Sequence, residues 1–170
     1  ERKGFHYLKE AVLRLTNDHP EWKDRLGLVL VGKDITPTSY QDIPLEVYPL
    51  NYIAEEKQLV DIYNAVDLFV IPSLQDNLPN TIVEAMACGI PCIGFNVGGI
   101  PEMIDHLHNG YVAEYKNVGD FANGIHWLLT EGEYDILSRE AARKAANTYG
   151  ESSVATKYIS IYNQMTGKNE

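Results

Sequence analysis

Asp67-Leu68-Phe69-Val70-Ile71, Pro72 to Pro79, Asn80 to Cys88 and Cys92-Ile93-Gly94-Phe95 read in turn as strand, loop, helix and strand. The two outer runs are continuously apolar rather than alternating, the pattern of strands covered on both faces. Gly89 and Pro91 stop the helix between them. Two buried strands joined through a helix run parallel, with a right-handed crossover.

The same grammar extends outward. Phe5, Leu8, Ala11, Val12 and Leu15 recur at helical spacing until His19-Pro20, and Leu28-Val29-Leu30-Val31 reads as a fully buried strand closed by Gly32. Leu45 to Pro49 is a weaker strand, and Leu59, Ile62, Tyr63 and Val66 form a helix stripe. Beyond Phe95, Gly110 to Ala113 is a short strand. Three helical stretches follow: one with Phe121, Ile125 and Leu128, one over Ile136 to Tyr149, and one with Val154, Tyr158, Ile161 and Tyr162. The predicted class is α/β, a single doubly wound parallel sheet of Rossmann-like type in one domain over residues 1–170. Such sheets bind ligands beyond the carboxyl ends of their strands, which directs attention to the loops after Val31, Ile71 and Phe95.

Composition narrows the partners. Fourteen Lys and Arg stand against 24 Asp and Glu, a formal charge of -10. That balance repels a phosphate backbone and argues against nucleic acid, though not against a small phosphorylated ligand met by a local cation. Ala85 to Pro101 lacks charge, but its Gly, Pro and Asn residues rule out a membrane span. Glu1-Arg2-Lys3-Gly4 is neither a leader nor a start, and is expected to lie inside a longer protein. Cys88 and Cys92 lack metal-site spacing and read as small apolar residues in a reducing compartment. His6, His19, His106, His108 and His126 make no ligand pair and no base–nucleophile arrangement.

The loop after Ile71 carries the chemistry. It sets Asp76 at the mouth of the sheet and opens a helix near Asn80 or Thr81, whose first N–H groups form an anion site. Glu84 is the one charged residue among Ile82, Val83, Ala85, Met86 and Ala87, so it is expected in buried surroundings that demand a partner. Facing a cleft, it would accept two hydroxyls, as carboxylates do from ribose in dinucleotide folds; pairing with a nearby Lys or backbone donor is the alternative. Gly98-Gly99 before Ile100-Pro101 suits either a close approach to ligand or a plain tight turn.

The chain resembles the retaining glycosyltransferases of the glycosyl transferases group 1 type (glycosyltransferase family 4), in their carboxyl-terminal domain. The likeness rests on Lys3-Gly4, Tyr63-Asn64-Ala65-Val66-Asp67, Pro72-Ser73, the eight-residue separation of Asp76 and Glu84, Ala85 to Pro91, and Gly98 to Glu102. Asp76 replaces the family's first Glu. The resemblance implies a GT-B enzyme, two doubly wound domains facing a cleft, of which this chain is the carboxyl-terminal, donor-binding half. Lys3 would bind the donor diphosphate, with Arg2 beside it either joining the phosphate site or merely solvated. Asp76 would touch the donor sugar and Glu84 the ribose. Backbone N–H groups of Asn77, Leu78, Asn80 and Thr81 would contact sugar and phosphate, while Pro79, where the family commonly has Gly, offers none. The base would lie against Leu50-Asn51-Tyr52, with Asn51 in place of the family's usual Gly, and Gly98 and Gly99 would line the donor.

By the same resemblance, the family's first strand would run just before residue 1, central between Leu28–Val31 and Leu68–Ile71. The isolated chain is expected to rearrange or to leave a weakened sheet, and to be inactive by itself. The expected reaction moves a sugar from a nucleotide diphosphate sugar to a glycan or lipid-linked acceptor without a metal or other cofactor, in the cytoplasm or at the inner membrane face. The Asp76 and Glu84 spacing by itself also permits a hydrolase pair. A nucleotide-sugar epimerase and a non-catalytic nucleotide-sugar binding module are the other readings. The Tyr-rich last helix is expected to expose apolar area toward the other domain.

Overall fold

The computed structural model describes residues 2–33 and 35–167. Helix α1 (Phe5–Asp18) leads through a 3-10 turn (Pro20–Asp24) to strand β1 (Gly27–Val31), a short α2 (Pro37–Tyr40) and β2 (Glu46–Leu50). Then come α3 (Glu56–Asn64), β3 (Phe69–Ile71), α4 (Asn80–Ala87), β4 (Cys92–Phe95), α5 (Ile100–Met103) and β5 (Gly110–Ala113). The chain closes with α6 (Val118–Thr130), α7 (Tyr134–Lys144), a π turn (Ala145–Tyr149) and α8 (Glu151–Thr166).

All strand pairs are parallel, as the crossover argument requires. The strands form two sheets, β1-β2 and β3-β4-β5, rather than one. Of the two expected outcomes this is the second, an interrupted sheet: among the described residues nothing pairs with the free side of β1 or of β3. Two strand readings are corrected for the same reason. The central residues of β1 are half-buried and Val31 is exposed, and only Ile71 of β3 is fully buried. A strand lacking a neighbour loses the cover that the neighbour's side chains and crossover helix would give. Only β4, paired on both sides, is buried throughout.

The helices cover both faces of the three-stranded sheet, and the period of two along each strand shows how. Val70, Ile93 and Phe95 point into a core shared with Leu8, Val12 and Leu15 of α1 and Phe121, Ile125 and Leu128 of α6. That core also takes in Leu28 and Val47, which ties the two sheets together. Phe69, Ile71 and Cys92 point the other way, into a core with Ile82 and Met86 of α4, Ile100 and Met103 of α5, and Ala141 of α7. Cys92 is fully buried, and desolvation pushes its thiol pKa up; Cys88 is only half-buried. α8 has no buried residue and exposes Tyr158, Ile159, Ile161, Tyr162 and Met165.

Candidate functional site

Three segments distant in sequence meet at the carboxyl end of β3. Gly4 caps α1 in the left-handed conformation (φ 62°), and a Cβ there would lie 1.9 Å from the Pro72 carbonyl oxygen, so only glycine lets α1 begin against this loop. The Leu74 N–H donates to the Arg2 carbonyl at 2.9 Å. With the backbone so placed, Lys3 Nζ reaches Asp76 Oδ2 at 2.9 Å. Lys3 stays 64% exposed while Asp76 is only 15% exposed, so the cation is open to a further anion. A pair this exposed stabilises the fold by about 1 kcal/mol at most. Partial burial by itself would raise the Asp76 pKa; the Lys3 ammonium, the Ser73 hydroxyl and Arg2 outweigh it and hold the carboxyl below its ordinary value. Ser73 is buried, and its hydroxyl makes no hydrogen bond of good geometry.

Gly98 and Gly99 press against the same loop from the other side. A Cβ on Gly98 (φ 58°) would sit 1.8 Å from the Asp76 carbonyl oxygen, and one on Gly99 would sit 1.7 Å from that of Asn77. The Gly99 N–H also donates to the Asp76 carbonyl at 3.3 Å. The close approach of protein backbone by itself requires glycine at both positions. They shape the acidic loop from beneath.

Helix α4 starts after Pro79, which is buried, and no side chain caps its first turn. Asn80 and Thr81 are exposed there, with backbone N–H groups available to an anion. Glu84 lies one turn on, and its expected burial is corrected: it is exposed. Asn80, Thr81, Glu84 and Ala87 share the outer face, while Ile82, Ala85 and Met86 point into the core. Desolvation therefore does not demand its partner. Among the described residues no cation pairs with Glu84; its Oε2 accepts from the Tyr63 hydroxyl at 2.9 Å.

The expected base-binding residues lie at and just after the end of β2, in the other sheet. Leu50 ends β2 half-buried, and its carbonyl accepts from the Gly32 N–H at 3.4 Å. Tyr52 is 62% exposed, with Lys33 Nζ 4.8 Å from its ring centroid. No hydrogen bond or ion pair among the described residues joins these two loops to Lys3 and Asp76. Asn77 and Leu78, both exposed, lie on the Asp76 loop.

Sequence reasoning missed Tyr63, Ser73 and Lys33 as neighbours of these residues. Lys33 had a signal, a cation in one of the three loops named for ligands; the Tyr63–Glu84 contact had none, spanning 21 residues and two elements. Two hollows, of about 290 and 330 Å³, lie away from these loops. The first is lined by His19 and His126, whose rings stack at 4.0 Å, a pairing the sequence did not suggest.

Comparison with known proteins gives this geometry a context. A family model described as Glycosyl transferases group 1 matches residues 1–131. The N,N'-diacetylbacillosaminyl-diphospho-undecaprenol alpha-1,3-N-acetylgalactosaminyltransferase of Campylobacter jejuni is 28% identical over 144 residues, covering 84% of this chain and 38% of its own length. The chain spans between 37% and 45% of the first three curated relatives it matches. Among solved structures, the C-terminal domain of a glycosyl transferase group 1 family protein from Francisella tularensis superposes with TM-score 0.71 at 21% identity, over 88% of this chain and 81% of that one. The Anabaena protein HepE in complex with UDP and glucose superposes with TM-score 0.73 at 23% identity, over 98% of this chain and 45% of that one.

Proposed function

This chain belongs to the glycosyl transferases group 1 family, and we propose that it forms the half of a retaining glycosyltransferase that holds a nucleotide diphosphate sugar. The observation that carries the reading is the arrangement at the end of β3: Asp76 ion-paired to an exposed Lys3, an uncapped α4 start, and Glu84 on the outer face one turn along. Each group has a matching part of the donor. The Lys3 ammonium and the first N–H groups of α4 meet the diphosphate as the bond from the anomeric carbon to its oxygen breaks. Arg2 adds to the positive field there. Asp76, kept ionised, accepts from sugar hydroxyls, and Glu84 accepts from the ribose diol. The Leu50 to Tyr52 turn takes the base. In this reading the two acids bind rather than act as acid and nucleophile, and the charge on the leaving diphosphate is met without a metal ion.

The UDP and glucose named for the Anabaena structure, and the lipid diphosphate named for the Campylobacter relative, support a nucleotide-sugar donor and a glycan or lipid-linked acceptor. A lipid-linked acceptor would suit a whole protein that works in the cytoplasm or at the inner membrane face. Among the described residues no helix is long and apolar enough to cross one.

Titration calorimetry with UDP and GDP tests the site. Glu84→Ala and Lys3→Ala are each expected to weaken the better-bound nucleotide about ten-fold or more, the range for a hydrogen bond to a charged group. If neither substitution weakens it, the site is misassigned. Nucleotide release that needs no acceptor would favour hydrolysis over transfer.

A further inference from the structure

Tyr63 touches the donor site without belonging to it. It is the penultimate residue of α3, it is 8% exposed, and Phe69 meets its ring edge-on with centroids 5.9 Å apart. The ring belongs to the same buried core as Ile71, Ile82 and Ile100, and burial restricts its rotamers. Its hydroxyl is therefore a fixed point, and it donates to Glu84 Oε2 at 2.9 Å. Glu84 is the opposite case, an exposed side chain with three rotatable bonds that costs entropy to order. Its Oε1 has no hydrogen-bond partner among the described residues.

We propose that Tyr63 is a positioning residue that holds Glu84 in the rotamer receiving the two ribose hydroxyls, so that the donor does not have to order this carboxylate itself. The inference rests on the donor-site reading above. One oxygen of Glu84 is held by Tyr63 and keeps a spare lone pair, and the other is open, which matches the two donors of a vicinal diol. Burial, then the neighbouring carboxylate, raises the Tyr63 pKa, so the phenol remains a donor over the whole working range.

Tyr63→Phe removes the hydroxyl and keeps the ring. Affinities are measured for UDP and GDP, and for the 2′,3′-dideoxy form of whichever binds better. Tyr63→Phe is expected to weaken the ribonucleotide five- to ten-fold, to change dideoxy binding less than two-fold, and to add nothing to Glu84→Ala in the double variant. Equal weakening of both nucleotides, additivity with Glu84→Ala, or no weakening at all overturns the positioning role. If Glu84→Ala leaves the preference for the ribonucleotide intact, or neither nucleotide binds, the donor-site reading falls and the proposal with it. Loss of that preference in Glu84→Ala but not in Tyr63→Phe removes the proposal alone.

Discussion

Gly99→Ala tests whether the acidic loop is shaped from below by the glycine pair. The added methyl carbon would fall 1.7 Å from the Asn77 carbonyl oxygen and 2.9 Å from a Leu78 methyl. Heavy atoms of this kind do not approach within 3.0 Å, so the loop must retreat by about 1.3 Å. Gly99 has φ -89°, so backbone strain plays no part and the whole effect is steric. Overpacking of this sort costs about 1–3 kcal/mol, which for a domain of this size lowers the melting temperature by roughly 3–10 °C. The retreat also moves Asp76, whose carbonyl accepts from the Gly99 N–H. A shift near 1 Å in a binding group lowers activity by up to about 100-fold. Thermal melting read together with UDP and GDP calorimetry is the assay. Should Gly99→Ala melt within a degree of the parent and bind nucleotide equally well, the close approach of the two segments does not exist.

Two further outcomes concern stability. Leu107 lies in the left-handed region (φ 65°) and is 45% exposed, so Leu107→Gly relieves strain at little cost in packing and is expected to raise stability by about 0.5–1 kcal/mol in denaturant titration. The Tyr111 pKa is pushed up to about 12 by burial, then by its hydrogen bond to Asp120. Stability from that shift is present in full below the unfolded value of 10.0 and is lost as pH rises toward about 12, so Tyr111→Phe should flatten the alkaline limb of a melting-temperature profile and leave neutral pH less affected.

Legibility followed the range of the physics. β4 and β5 fall where the apolar runs Cys92–Phe95 and Gly110–Ala113 put them, and α1 ends at the predicted His19-Pro20 stop. The burial expected of Glu84 rests on the number of apolar residues in α4 and not on their phase. Placed on a helix, Asn80, Thr81, Glu84 and Ala87 fall on one side. β1 and β3 are less covered than their apolar runs suggest, because such a run reports what a strand can bury and says nothing about whether a neighbour lies beside it.

Periodicity, turn residues and net charge were enough to establish the α/β alternation, the parallel strands and the acidic loop at a strand end, since each depends on residues within a few turns of one another. The tertiary structure decided what those residues meet: Lys3 against Asp76, Tyr63 against Glu84, and two glycines beneath the acidic loop. Such contacts join positions 73, 21 and 22 residues apart. They form only when helices pack on a sheet at one angle and depth, and that geometry is set by the shape of the whole core.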